Sequence, residues 1–327
     1  MDKLKWGILG TGAIAKKFAQ GLERSQTGVL VAVGSRSIET ARLFSETYRS
    51  TPFGSYEELL SYDQVDAVYI SLPHHLHAEW TVKCAAAGKH ILCEKPFTLD
   101  APSAERALDA VAKANVFFME AFMYRCHPQT QELARLVREG AIGRPLVVNA
   151  EFGFAAGKEW DNFRTVGELG GGGLMDVGTY CVSMSRLLAG EEPSRGEYTA
   201  MIGDKGYDEW GTGTLIFPGG MTAMFGTGIH AQLRNDVRIY GSEGSIHVPS
   251  PWFCGEPMTL VRGGNEERVR VGEGLDLYGH EADTVARHLS ERQAPEMSWQ
   301  DTLSNMRALD MLRRSAGLRF GDHDAAF

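Results

Sequence analysis

The chain has 327 residues, 43% hydrophobic and 23% charged, with a formal net charge of −9. These are ordinary values for a soluble globular protein with room for two buried cores. Residues 1–122 carry 13 Lys+Arg against 14 Asp+Glu and the remainder 20 against 28, an acidic surface that argues against nucleic acid or an anionic membrane as partner.

Five cysteines (84, 93, 126, 181, 254) have no C-x-x-C spacing, which reads as reduced thiols rather than a disulfide framework or zinc site. The amino terminus, Met1-Asp2-Lys3-Leu4-Lys5, runs directly into a strand. It leaves no room for a signal peptide, and no apolar run is long enough to span a membrane, so a cytoplasmic location is expected.

Leu4–Gly10 reads as a short apolar strand, followed by Gly10-Thr11-Gly12-Ala13-Ile14-Ala15 and a helix to about Leu22. This is G-x-G-x-x-A between strand and helix. Gly10 makes the tight turn, Gly12 lets backbone approach a pyrophosphate, and Ala15 permits close helix–strand packing. The N–H groups at the helix start then face the phosphates. A second strand, Val29–Gly34, ends in Ser35-Arg36-Ser37 with no acid at its tip. An NAD site usually places Asp or Glu there for the ribose 2′-hydroxyl, whereas arginine suits a 2′-phosphate. Ser35 and Arg36 therefore favour NADP over NAD, although Ser37 also reads as a helix N-cap.

Strand–helix alternation continues through Asp66–Leu72, which ends in Pro73-His74-His75-Leu76-His77. Such alternation implies a doubly wound parallel sheet. Three histidines in four residues invite a metal reading, but no Cys, Asp or Glu beside them completes a ligand set, so no metal is expected. Cofactor contact is the better reading of this strand end. The next strand ends in Ile91-Leu92-Cys93-Glu94-Lys95-Pro96. A lysine at the carboxyl end of an α/β strand sits where ligands bind in such folds, and the following proline restricts its backbone to extended conformations. A helix over about Ala101–Ala114 and a strand Val116–Glu120 close a first domain, residues 1–122.

From Leu146 the period changes. Val147–Phe154, Glu197–Ile202, Gly213–Phe217, Met221–Thr227, Asp236–Tyr240, Ser245–Val248, Met258–Val261 and Arg268–Val271 are strand-like, with glycine-rich turns. They predict an open, mostly antiparallel sheet in an α+β domain, residues 123–327, followed by helices near Glu281–Arg292 and Asp301–Ser315. An exposed sheet face suits pairing between subunits, so a homodimer or homotetramer is expected.

Within this half lies Gly170-Gly171-Gly172-Gly173-Leu174-Met175-Asp176-Val177-Gly178-Thr179-Tyr180. Four glycines are poor choices for helix or strand and permit close backbone approach. Asp176 and Tyr180 are spaced i, i+4 on one face of the helix that follows. They read either as a packed, hydrogen-bonded core pair or as a proton-transfer pair. A tyrosine working near neutral pH needs a neighbouring cation to lower its pKa, and Lys95 is the candidate.

With these motifs placed, the chain resembles the glucose–fructose oxidoreductase / inositol dehydrogenase / rhizopine catabolism (Gfo/Idh/MocA) family over essentially its whole length. The matching pieces are Gly10-x-Gly12-x-x-Ala15, Pro73-x-x-x-His77, Gly88-Lys89-His90-Ile91-Leu92-Cys93-Glu94-Lys95-Pro96 and the run Gly171–Tyr180 with its Asp176. Tyrosine at 180, where many members carry histidine, followed by Cys181, resembles the branch of glucose–fructose oxidoreductase, dimeric dihydrodiol dehydrogenase and NADP-dependent xylose dehydrogenase.

The resemblance implies a Rossmann domain, an open-sheet domain and hydride transfer between nicotinamide and a sugar-like alcohol or carbonyl. Tyr180 would exchange the proton, Lys95 would polarise the substrate oxygen, and Asp176 would orient substrate or Lys95. Thr11, Ala13 and Ile14 join Gly10 and Gly12 around the dinucleotide; Leu72, Pro73, His74, His77, Glu94 and Lys95 would line the nicotinamide side. Arg164, in Asn162-Phe163-Arg164 where Asn-Trp-Arg is common, is carried over as a cofactor residue. Phe154 and Trp160 offer an apolar face for a sugar ring or are ordinary core aromatics. Two rival functions fit the same pattern: a non-catalytic NAD(P)-binding sensor, and a redox-assisted glycosidase or lyase.

Overall fold

The computed structural model describes residues 3–157 and 160–320. The chain divides into two compact units. One holds residues up to Thr98, Pro102–Cys126 and Leu275–Thr302; the other holds Leu99–Ala101, His127–Gly274 and the chain from Leu303.

The first unit follows strand–helix alternation: β1 (Leu4–Leu9), α1 (Ala13–Arg24), β2 (Gly28–Gly34), α2 (Ile38–Tyr48), β3 (Thr51–Phe53), α3 (Tyr56–Leu60), β4 (Ala67–Ile70), α4 (His77–Ala86), β5 (His90–Glu94), α5 (Ala101–Ala114), β6 (Phe118–Ala121) and the short α6 (Met123–Cys126). The sheet is parallel with order β3-β2-β1-β4-β5-β6, the doubly wound order in which the chain reverses beside β1. Every residue of β4 and β6 is buried, as expected for strands covered on both faces. Phe18 of α1 stacks on Tyr69 of β4 at 4.0 Å between ring centroids and makes an edge contact with Trp6 of β1.

The second unit contains α7 (Pro128–Arg138), β7 (Pro145–Gly153), a π-helical turn (Leu174–Gly178), α8 (Thr179–Ala189), β8 (Arg195–Ile202), β9 (Asp208–Ile216), β10 (Thr222–Gly228), β11 (Val237–Gly241), β12 (Gly244–Val248), β13 (Met258–Arg262) and β14 (Asn265–Val269). The sheet order is β14-β13-β12-β11-β7-β10-β9-β8, antiparallel except between β7 and β10. Residues alternate along β8, buried at Gly196 and Tyr198 and exposed at Arg195, Glu197 and Thr199. That is the signature of a sheet covered on one face.

Among the boundaries that differ from the sequence expectation, two bear on the site. The strand expected at Gly213–Phe217 begins at Asp208. Glycines 211 and 213 hid its first half, because glycine is depleted in strands. Here they make room: a Cβ at Gly211 would overlap the Tyr198 ring and one at Gly213 the Phe225 ring, two rings that stack at 5.9 Å. The chain also does not divide once at 122/123. After β14 it supplies α9 (Leu277–Arg287) to the first unit, where Gly21 of α1 meets Tyr278 so closely that a Cβ would lie 2.5 Å from the Tyr278 Cβ. The last helix, α10 (Trp299–Ala316), follows.

Candidate active site

In the first unit the glycine turn is an open cradle. Gly10 has φ +104°, a conformation L side chains avoid. Gly12 caps α1 with no side-chain hydrogen bond, no acid stands in the first turn, and a Cβ on Gly12 would meet nothing within 4 Å. The orphan N–H groups of a helix start therefore border empty space, which fits a pyrophosphate. Gly12 and Ala13 are exposed, Thr11 and Ile14 half-buried, and Ala15 buried against the sheet. At the β2 tip, Ser35 is buried with its hydroxyl 3.2 Å from that of Thr40, while Arg36 is exposed beside Tyr56. Ser37 accepts from Thr40 N–H, so it is the N-cap of α2.

Lys95 follows β5 and is 8% exposed; its peptide bond to Pro96 is cis. Two contacts pin this turn. Nδ1 of His77 lies 2.9 Å from the Pro96 carbonyl oxygen and Nε2 lies 2.7 Å from that of Leu72. Phe97 N–H donates to Glu120 Oε1 on β6 at 2.9 Å. Burial presses the His77 pKa down to about 4, so the ring is neutral at physiological pH and donates its one N–H to one of these two carbonyl oxygens. His77, expected at the cofactor by resemblance, is fully buried, and both ring nitrogens lie against backbone carbonyl oxygens. The motif Pro73-x-x-x-His77 joins the ends of two strands. Leu72 and His74 are also buried, and Pro73 is half-buried.

Glu94 accepts from the Tyr69 hydroxyl. Close to both lies Glu281 of α9, fully buried, with neither carboxylate oxygen hydrogen-bonded among the described residues. Burial first, and the Glu94 charge second, raise its pKa well above the ordinary range. No motif in the sequence pointed to Tyr69 or Glu281. The signal was a lone acid on the apolar face of α9.

In the second unit Asp176 lies in the π-helical turn and Tyr180 in the first turn of α8. The expected continuous α-helix thus contains one wider turn between them. Asp176 is 3% exposed and its Oδ1 lies 2.8 Å from Arg164 Nε. Asn162 orients that arginine, its Oδ1 accepting from Arg164 N–H at 3.1 Å. Arg164, assigned to the cofactor by resemblance, is thereby placed as the partner of Asp176. Tyr180 is 5% exposed and its ring is boxed edge-on by Phe152 at 5.2 Å and Trp252 at 5.8 Å. Phe154 and Trp160 meet edge to face at 5.8 Å, both half-buried.

The glycine run proves to be packed against the protein itself. A Cβ at Gly171 would overlap the Arg164 carbonyl, one at Gly172 the Asp208 carboxylate, and one at Gly173 would lie 2.9 Å from Gly228 Cα. Gly172 N–H donates to Arg164 O at 2.8 Å and Thr227 Oγ1 to Gly173 O at 2.8 Å. The close approach read from these glycines is to Arg164, Asp208 and Gly228.

Residues 4–122 match the family described as "Oxidoreductase family, NAD-binding Rossmann fold", and residues 130–247 match the "GFO/IDH/MocA C-terminal domain". The chain is 32% identical to D-xylose 1-dehydrogenase (NADP(+)) 2 of Haloferax volcanii, over 96% of this chain and 97% of that protein. It is 31% identical to trans-1,2-dihydrobenzene-1,2-diol dehydrogenase of Xenopus laevis, over 91% and 93%. Among solved structures it is similar to KijD10, a 3-ketoreductase from Actinomadura kijaniata in complex with NADP and TDP-benzene. There the TM-score is 0.87 at 28% identity, covering 96% of this chain and 98% of that one. On this evidence the chain belongs to the Gfo/Idh/MocA oxidoreductase family.

Proposed function

We propose that the protein is an NADP-dependent oxidoreductase moving a hydride between nicotinamide and a sugar or sugar-like alcohol or carbonyl. The observation that carries this reading is Tyr180. Its phenol is held by two aromatic edges, one turn from an ion-paired Asp176, on a helix placed by tight glycine packing. A tyrosine so restrained suits proton exchange with a substrate oxygen at low reorganisation cost.

When bound, NADP supplies the hydride chemistry. Gly10, Thr11, Gly12, Ala13 and Ile14 hold its pyrophosphate at the start of α1, and Ser35 and Arg36 take the 2′-phosphate. Leu72, Pro73, His74 and Glu94 border the nicotinamide end. Lys95 polarises the substrate oxygen and lends positive charge to the phenol. Asp176 orients the substrate through its own pairing with Arg164, and Phe154 and Trp160 offer an apolar face to a sugar ring. The relatives, a D-xylose 1-dehydrogenase, a trans-dihydrodiol dehydrogenase and a 3-ketoreductase, all act at an oxygen-bearing ring carbon, and that is the substrate class proposed here.

A homodimer or homotetramer through the open sheet is part of the same reading. Met201, Trp210, Ile216, Met224 and Tyr240 are exposed on one face of β8–β11, an apolar patch of the kind that marks an interface.

The test mixes the purified protein with NADP(H) or NAD(H) and a panel of aldoses, ketoses, lactones and trans-dihydrodiols, following NADPH absorbance. Turnover with NADP(H) on a ring alcohol or ketone supports the reading. Cofactor binding with no turnover on any member supports a sensor. Release of aglycone without net cofactor consumption supports a glycosidase or lyase.

A further inference from the structure

Asp208, the first residue of β9, is fully buried, and its ionisation is opposed by burial that pushes its pKa up to about 7. Its Oδ2 accepts from the Leu174 backbone N–H at 2.7 Å and from the Tyr198 hydroxyl at 2.7 Å. Its Oδ1 makes no well-formed hydrogen bond and the residue has no ion pair among the described residues, while the backbone N–H groups of Asp208 and Gly173 lie near the carboxylate and favour its charged form. Leu174 opens the π-helical turn, and N–H groups in the first turn of a helix have no acceptor within it. Asp208 is therefore an N-cap delivered from another strand. Its charge lies at the positive end of a helix that runs without interruption from Leu174 to Ala189. A buried carboxylate with no cation destabilises a fold, and an apolar or amide side chain would pack there at lower cost. Such a group is kept where a site needs it.

We propose that Asp208 is a positioning residue which, as a carboxylate, caps the Leu174–Gly178 turn and so holds Asp176 and Tyr180 in their working geometry. This rests on the reading of Tyr180 as the proton-exchanging group. The cap is made by the anion. Two charge-assisted hydrogen bonds converge on Oδ2, and a proton on Oδ1 would find no acceptor. The turn on Gly172–Leu174 and the end of β10 at Gly228 bring backbone to this carboxylate. Tyr198 on β8 faces it directly, and Cys181 on α8 faces Tyr198. On β9 itself Glu209 is next in sequence. The cap is accordingly present above about pH 7 and weakens as pH falls through that value.

The experiment compares wild type with Asp208→Asn in the full-length protein. It follows kcat and KM against pH on a substrate the wild type turns over, and backbone amide exchange over 172–180. The variant should lose about tenfold in kcat, keep KM for NADPH within about twofold, and lack the acid limb near pH 7. Exchange at 174–178 should quicken about tenfold while the parallel sheet keeps its protection. Should Asp208→Asn not fold, Tyr198→Phe leaves the cap in place but removes one donor from the anion; it should move the acid limb to higher pH. The proposal fails if Asp208→Asn keeps the wild-type kcat and acid limb, or if its exchange at 174–178 is unchanged. It fails equally if Tyr198→Phe leaves the limb where it was. A wild type with no turnover on any substrate sinks the hydride-transfer reading instead, and the exchange measurement still decides the cap.

Discussion

The Lys95 turn and the Gly170–Tyr180 turn both present a polar head from a nearly buried residue, but they are built in different ways. The Lys95 turn is held by its neighbours in one parallel sheet: His77 spans the carbonyls of Leu72 and Pro96, and Glu120 takes the Phe97 N–H. Parallel strands bring their carboxyl ends together, so residues that follow strand ends meet each other automatically. The tyrosine turn is held by partners that no local rule supplies: Arg164 on Asp176, Asp208 on Leu174, Thr227 on Gly173. The two sets of glycines show the same contrast. A Cβ at Gly12 would meet nothing within 4 Å, whereas Gly172 is filled to contact by its own protein.

The largest effects should come from the two polar heads. Lys95→Ala and Tyr180→Phe should each lower kcat by about a hundredfold or more, read in steady-state assays with NADP(H). Wild-type turnover in either variant would remove the shared purpose from the two turns.

Next comes the glycine contrast. Gly172→Ala puts a methyl into the Asp208 carboxylate at φ +111° and should cost about 3 kcal/mol or more in chemical denaturation. Gly12→Ala should leave the unfolding midpoint unchanged and weaken NADPH binding about tenfold in fluorescence titration. Equal stability of the two variants would erase the distinction.

A smaller loss is expected from His77→Ala, about 2–4 kcal/mol from a cavity and a buried carbonyl left without its donor. Its kcat should drop more than its KM, because the Lys95 turn loosens; urea unfolding and kinetics together check this. Last, Glu281→Gln should flatten the pH dependence of thermal stability. The raised pKa means the folded protein keeps a proton that the unfolded chain releases above about pH 4.3. Stability from this group is therefore full at acid pH and lost as pH rises toward the folded pKa. The variant should melt above wild type at pH 8 and converge with it at pH 5, and parallel melting curves would count against the buried acid.

Much of the first unit was legible because its signals are local. Gly10-x-Gly12-x-x-Ala15 sits between a strand and a helix, and Lys95 stands at a strand end. Arg36 and Ser37 follow β2 directly, and Ser37 does cap α2. A histidine near a ligand-binding strand end reads as a contact residue, so the sequence does not signal that His77 also joins two strand ends. Only its burial between two carbonyls reveals a clamp. In the second unit the strands were readable along the chain but not their order in the sheet, and the first half of β9 was hidden by Gly211 and Gly213, and Asp208 with it.

The sequence by itself determined the parallel sheet, the open antiparallel sheet and the residue types at both turns, because propensity, periodicity and glycine turns act over a few residues. Tertiary structure alone decided which acid caps Leu174, which cation pairs with Asp176, and that α9 returns to the first unit with a buried Glu281. Each of these depends on close packing between segments tens to hundreds of residues apart, where a single Cβ or an unmatched charge changes the outcome.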